Sequence, residues 1–180
     1  MNLSITPLAV SDVLLIKTPV FGDSRGYFSE IFKASAFAKN AVPAEFTQDN
    51  YSYSKKNVLR GMHFQLSPHA QGKLVRCLKG EIFDVAVDVR KDSASYGRWV
   101  GRNLNESSGD MLYIPAGFAH GFLVLSDDAF VLYKCTKDYA PGFEGGIRWD
   151  DPELGIAWPS RSVILSDKDA RLPLLADANL

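Results

Sequence analysis

Three histidines, His63, His69 and His120, are the side chains of this 180-residue chain best suited to moving protons near neutral pH. His63 stands in VLRGMHFQ, with Arg60 shortly before it and Lys73 further on, at the start of the next apolar segment. His120 stands in IPAGFAHGF, just past a Pro-x-Gly turn. A lone histidine among apolar neighbours is ordinarily a satisfied core residue, and His69, in the loop-like SPHAQG, is expected to be a solvated bystander. Company changes the weight of the other two. Arg25 and Glu30 flank the first turn, while Asp84 and Tyr133 fall inside apolar segments where a charge or a phenol needs a partner. Cations, imidazoles and a tyrosine gathered in one concavity suit an anionic ligand whose protons are to be moved. Asp169 carries a competing expectation. It follows Ser166 at capping-box spacing, so spacing alone assigns it to a helix terminus.

A metal centre is the first alternative. Pro115, Gly117 and His120 fit the P-x-G-x-x-H spacing of the second cupin motif. The first cupin motif supplies two histidines one residue apart, and here the run reads His63-Phe64-Gln65. Without that third nitrogen the ligand set is poor for Zn, Fe or Mn, and no bound metal is expected.

These residues have to be positioned by short strands. Gly and Pro punctuate brief apolar segments, with no repeat, charge block or low-complexity linker. Strands are predicted at 14–19, 46–54, 58–65, 73–79, 81–90, 111–114, 121–125 and 130–136. A further alternating segment follows the turn in FGDSRGYFSEIF, with Tyr27, Ser29 and Ile31 opposite Phe28, Glu30 and Phe32. A short helix is predicted at 34–40, and a helical turn or two in the tail SDKDARLPLL. Within 81–90, Phe83, Val85, Val87 and Val89 share one face and Asp84, Ala86, Asp88 and Arg90 the other, the pattern of a sheet with one polar face toward a wet pocket. The favoured fold is all-β, a cupin-type jelly-roll barrel or sandwich with a few short helices, in one domain spanning 1–180.

Composition narrows the function classes. A net charge of −1, from 20 Lys plus Arg against 21 Asp plus Glu, argues against nucleic-acid binding through bulk charge. No stretch approaches the ~20 apolar residues of a membrane helix. The amino terminus lacks the basic start and apolar run of a secretory signal, so a soluble, cytoplasmic protein without membrane association is expected. Cys77 and Cys135 lie in apolar runs and are expected to be reduced, buried thiols.

On these residues the chain resembles the dTDP-4-dehydrorhamnose 3,5-epimerase family. The stretches that carry the likeness are DSRGYFSEIF, FTQDNYSYSKKNVLRGMHFQ, KLVRCLKGEIFDVAVDVRKDSASYGRW, YIPAGFAHGF, YKCTKDYAP, GIRWDDPELGIAWP and LSDKD, in order from residue 23 to residue 169. Met62 stands where Leu is usual, a volume-conserving change. The resemblance implies a cupin jelly roll, a homodimer, no metal or other cofactor, and a dTDP-linked 4-keto-6-deoxyhexose as substrate. It implies His63 as general base, Asp169 as its carboxylate partner (reversing the capping assignment) and Tyr133 as proton donor. Its substrate contacts fall on Arg25, Glu30, the Gln48, Asp49 and Asn50 run, Arg60, Lys73, His120, Glu144 and Lys168. The expected reaction inverts C3 and C5 of dTDP-4-dehydro-6-deoxy-D-glucose through an enolate at C4, with Lys73 the candidate to stabilise the enolate oxygen. Tyr27 or Phe28 is a candidate to stack on the thymine. An epimerase acting at C3 alone, a metal-dependent cupin enzyme and a non-catalytic nucleotide-sugar binder are the alternatives.

Overall fold

The protein is described by a computed structural model covering residues 1–40 and 42–180. Six strands form one antiparallel sheet, in the order β1 (Ser4–Pro7), β2 (Leu14–Lys17), β10 (Met111–Ile114), β7 (Lys73–Lys79), β12 (Asp128–Cys135) and β5 (Gln48–Lys55). Five form the other, in the order β13 (Glu144–Gly146), β6 (Leu59–Gln65), β11 (Phe118–Val124), β8 (Glu81–Asp88) and β9 (Trp99–Asn105). A separate hairpin pairs β3 (Phe21–Asp23) with β4 (Gly26–Phe28). No helix among the described residues is long and apolar enough to cross a membrane.

Alternation along each strand sorts side chains into layers. Between the sheets, Val75 and Cys77 of β7 and Val131 of β12 meet Ile82 and Ala86 of β8 and Phe118 and Phe122 of β11. On the outer face of the five-stranded sheet, Met62, Phe64, Val85, Val87 and Leu123 pack under Ile147, Leu154, Ile156, Trp158 and Leu175 of the C-terminal segment. On the outer face of the six-stranded sheet, Ile16, Leu74, Met111 and Tyr113 are covered by Phe37 of α1 (Ala34–Lys39) and by Val42. At about 1.5–3 kcal/mol per fully buried large apolar side chain, these three layers are the main stabilising term.

The polar face expected for 81–90 is therefore dry. Asp84 and Asp88 are both fully buried, and Ile82 and Ala86 beside them belong to the inter-sheet core. Asp88 accepts from the Arg90 guanidinium at 2.6 and 2.9 Å and from the Ser93 and Ser95 hydroxyls at 2.6 Å, which closes the loop into β9. Burial pushes its carboxyl upward, but those bonds outweigh it and hold the group far below the usual carboxylate range. The alternation expected after the first turn also stops early. β4 ends at Phe28, because the Ser29 hydroxyl donates to Pro19 O at 2.9 Å and meets Thr18 Oγ1 at 3.1 Å, tying off the hairpin base. The helical turn expected in the tail before Pro173 is the 3-10 turn Asp169–Arg171, and a second 3-10 turn, Leu175–Asp177, follows the proline. Pro173 lies between them, where it cannot donate an N–H to a continuous helix. β1, β3, β9 and β13 were not predicted; β13, Glu-Gly-Gly, carries no strand pattern and exists by pairing with β6. Cys77 and Cys135 are free and buried, as expected.

Candidate active site

A cleft opens where β6 and β11 of one sheet face β5, β7 and β12 of the other. Its two lobes, of about 340 and 260 Å³, share His63, Lys73, Tyr133 and Lys168 as walls. The larger is lined further by Gln48, Asn50, Gln65, Tyr139 and Glu144, the smaller by Ser52, Arg60, His120, Ser166 and Asp169. His63 enters from β6 and Tyr133 from β12, so imidazole and phenol come from different sheets.

His63 owes its position to the close approach of β6 to β11. Gly61 has φ +123°, and a Cβ there would lie 2.5 Å from Gly121 Cα and 2.7 Å from His120 O. Only glycine permits that backbone and that contact. The pairing then shifts register between His120 and Phe122 and sets His63 opposite His120.

His63 Nε2 lies 2.7 Å from Asp169 Oδ1, and the Gly61 N–H donates to Asp169 Oδ2 at 3.3 Å. A carboxylate on Nε2 draws the ring proton there, so Nδ1 carries the lone pair of the neutral ring. The capping pattern is half made: Ser166 Oγ accepts the Asp169 N–H at 3.1 Å, while the aspartate side chain turns to the imidazole. Burial pushes the Asp169 carboxyl upward, but the hydrogen bond and charge of His63, with the Gly61 N–H, bring it below the usual carboxylate value.

A second pair stands deeper. His120 Nε2 lies 2.7 Å from Asp84 Oδ1, with the two residues 5 % and 0 % exposed. Burial lowers the His120 pKa, Asp84 opposes it only in part, and the nearby Lys73 and His63 lower it further. Lys73 is buried and donates to His63 O at 3.3 Å. Burial lowers its pKa, and Cys135 and Asp84 oppose that shift. Burial raises the Tyr133 phenol, with Cys135 adding and Arg60 opposing, so it is a protonated donor at neutral pH. Arg60 is anchored to β5, from Nε to Ser54 Oγ at 2.9 Å and from Nη2 to Tyr53 O at 3.3 Å. Gln48 Nε2 donates to Asn50 Oδ1 at 2.9 Å, and Lys168 Nζ meets Glu144 Oε1 at 2.5 Å.

The cleft thus gathers His63, Asp169, Tyr133 and Lys73, together with Gln48, Asn50, Arg60, His120, Glu144 and Lys168. Three sequence-derived contacts lie elsewhere. Asp49 alternates to the outer face of the sheet and pairs with Lys134 at 2.7 Å. Arg25 is exposed on the turn of the β3–β4 hairpin, bonded to Asp23, and Glu30 lies 3.8 Å from the amino terminus. Tyr27 and Phe28, at 66 % and 65 % exposed, are also outside the cleft, whose aromatic wall residues besides Tyr133 are Tyr139, Phe64 and Phe122. His69 packs against Phe143 away from the cleft. Sequence reasoning missed Ser52, Gln65, Gln71 and Tyr139 as wall residues. The alternation of β5 that turns Gln48 and Asn50 inward assigns Ser52 to the same face, a signal that was available. Gln65, where a metal-binding cupin would carry its second imidazole, donates to His69 O at 2.7 Å and accepts the Ala140 N–H at 2.8 Å. Among the described residues no three His, Cys, Asp or Glu side chains converge as a ligand group.

The profile of the family described as dTDP-4-dehydrorhamnose 3,5-epimerase matches residues 7–177. The chain is similar to the dTDP-4-dehydrorhamnose 3,5-epimerase of Salmonella typhimurium, 53 % identical over 174 residues that cover 96 % of this chain and 95 % of that one. Its structure resembles the crystal structure of the Legionella pneumophila dTDP-6-deoxy-D-glucose-3,5-epimerase in complex with dTDP-4-keto-L-rhamnose, with TM-score 0.93, 45 % identity and coverage of 97 % and 94 %. It also resembles ChmJ, a 3'-monoepimerase from Streptomyces bikiniensis in complex with dTDP-quinovose, with TM-score 0.89, 35 % identity and coverage of 94 % and 87 %. The cupin-type β-sandwich expected from the sequence is the fold these proteins share with it.

Proposed function

This chain belongs to the dTDP-4-dehydrorhamnose 3,5-epimerase family and carries that activity, and we propose that it works by proton removal at His63 and proton donation from Tyr133. The substrate carries a ketone at C4, flanked by the two centres to be inverted. His63, held by Asp169, takes the proton from C3 or C5, and the C–H electron pair moves onto the C4 oxygen. Lys73, with Arg60 nearby, stabilises that enolate, since a fixed cation at the developing charge is commonly the largest catalytic term. Tyr133 then gives a proton to the opposite face of the same carbon and recovers one from solvent, while His63 releases to solvent the proton it took. His120 holds a sugar hydroxyl, while Gln48, Asn50, Glu144 and Lys168 line the lobe that takes the nucleotide.

The observation that carries this reading is the entry of the His63–Asp169 pair and the Tyr133 phenol from different sheets, with buried Lys73 in the wall they share. Turnover in deuterated water is expected to place deuterium at both C3 and C5. Label at neither position, with competent substrate, would sink the assignment, and label at C3 alone would replace it with a monoepimerase.

The same proposal includes a homodimer. Arg25 and Glu30 lie outside the cleft of their own chain, and the hairpin that carries Arg25 is exposed at Phe21, Tyr27 and Phe28. A second copy laying this hairpin beside the cleft would bury those rings and bring Arg25 to the diphosphate, which favours guanidinium contacts. A cytoplasmic location fits the free thiols of Cys77 and Cys135.

A further inference from the structure

Asp84 is a buried charge that the mechanism above leaves unused. It sits on β8 between Phe83 and Val85 with none of its surface exposed. A carboxylate this far from water is costly unless other groups compensate it. Oδ1 accepts from His120 Nε2, while Oδ2 is buried with no hydrogen-bond partner among the described residues. Register accounts for the first contact: on paired β8 and β11, Ala86 stands opposite His120 and Asp84 opposite Phe122, so His120 reaches its diagonal neighbour. Facing them, at the start of β7, is Lys73, also buried, whose ammonium donates to His63 O.

We propose that Asp84 is a positioning residue of this enzyme, fixing the His120 ring with one oxygen and serving as the counter-ion of Lys73 without bonding to it. The proposal rests on the assignment of Lys73 to the enolate oxygen. Its logic is electrostatic. An ammonium in a dry cleft with no anion nearby sheds its proton, whereas one locked in a direct ion pair has its donors already occupied. Asp84 and Lys73 both turn into the space between the sheets, where Asp84 partly offsets the effect of burial on Lys73, yet the two form no direct ion pair within 4.0 Å. Charge is balanced while the ammonium keeps donors for the substrate. The bond from His120 Nε2 to Asp84 likewise leaves Nδ1 of a neutral ring to accept from a sugar hydroxyl.

Other groups around Lys73 do not supply this charge. Cys135 and Tyr133 on β12 have pKa values pushed up by burial and are neutral near pH 7. Asp169 is engaged by His63, Glu144 by Lys168, and His63, His120 and Arg60 carry no negative charge. Removing the Asp84 charge should therefore let Lys73 lose its proton at lower pH.

Asp84→Asn keeps the shape and an acceptor for His120 while deleting the charge. It is expected to lower kcat by about 10–100-fold with KM little changed, the size of effect seen when a group orienting a site residue is lost. The alkaline limb of kcat against pH should move down by about one unit or more. His120→Asn, which leaves Asp84 in place, should lower kcat without moving that limb. An Asp84→Asn enzyme with the wild-type kcat and alkaline limb overturns the proposal, and the functional assignment survives so long as the wild-type protein labels C3 and C5. If Asp84→Asn does not fold, wild-type protein with 13Cε-labelled lysines decides, the Lys73 resonance being identified by its loss in Lys73→Gln. A Lys73 signal that stays charged to about pH 8 supports the counter-ion, and one already neutral at about pH 7 overturns it.

Discussion

His63 and Tyr133 are proposed for opposite halves of one proton transfer, and that division is measurable. His63→Ala should abolish both exchange of the C3 proton with solvent and inversion, by about 10²–10⁴-fold, the usual worth of a positioned acid or base. Tyr133→Phe should retain exchange, because His63 still removes a proton and can return a deuteron to the same face, while inversion falls by a comparable factor. Proton NMR of C3–H washout beside product formation separates the two outcomes; equal loss of both in Tyr133→Phe would remove the tyrosine from the donor role. The types and sequence contexts of these residues were legible in the chain. The carboxylate that completes the base was legible only through the family resemblance, because 106 residues separate His63 from Asp169 and the local spacing of Asp169 pointed to a helix cap. Asp84 was visible only as a charge wanting a partner, and which of three histidines would meet it depended on strand pairing.

The element on which the site turns is the contact between β6 and β11. It carries His63 and His120 on paired strands, and it depends on Gly61 at φ +123° with no room for a side chain. Gly61→Ala is expected to cost about 2–4 kcal/mol in unfolding free energy, since strain and a backbone clash add. Activity should fall further than the folded fraction, because separating the strands displaces both imidazoles; denaturant melts and kcat on the same preparation test this. Period-two alternation located β8 well, and short apolar runs between turn signals located β7 and β10, because a strand imprints its own pattern on the chain. The same alternation misassigned the polar face of β8. A strand pattern records which side chains share a face, and whether that face meets water depends on what packs against it. Here the opposing sheet covers one face and the C-terminal segment the other.

At the scale of the whole molecule, the exposed hairpin and the cleft are complementary parts of the proposed dimer. Arg25→Ala should raise KM with a smaller effect on kcat, as expected for a diphosphate contact remote from the reacting carbons. Mixing Arg25→Ala protomers with inactive His63→Ala protomers, after unfolding and refolding together, should restore activity. Each mixed dimer then has one cleft with both native residues. No recovery above the separate variants would assign Arg25 to its own chain or to no site at all, and sedimentation of the wild-type protein as a monomer would remove the dimer.

By itself the sequence determined that the chain is a series of short strands, that it holds an inventory of imidazoles, cations and one promising phenol, and that it is similar to a family of sugar epimerases. Those properties are local or compositional, and a chain carries them before it folds. Only the tertiary structure decided that Asp169 meets His63 through Nε2, that Asp84 stands dry beneath His120, and that Asp49 and Arg25 face away from the cleft. Each of these depends on contacts between segments far apart in the chain, settled by which sheet faces bury together, and alternation within a single strand carries no record of that.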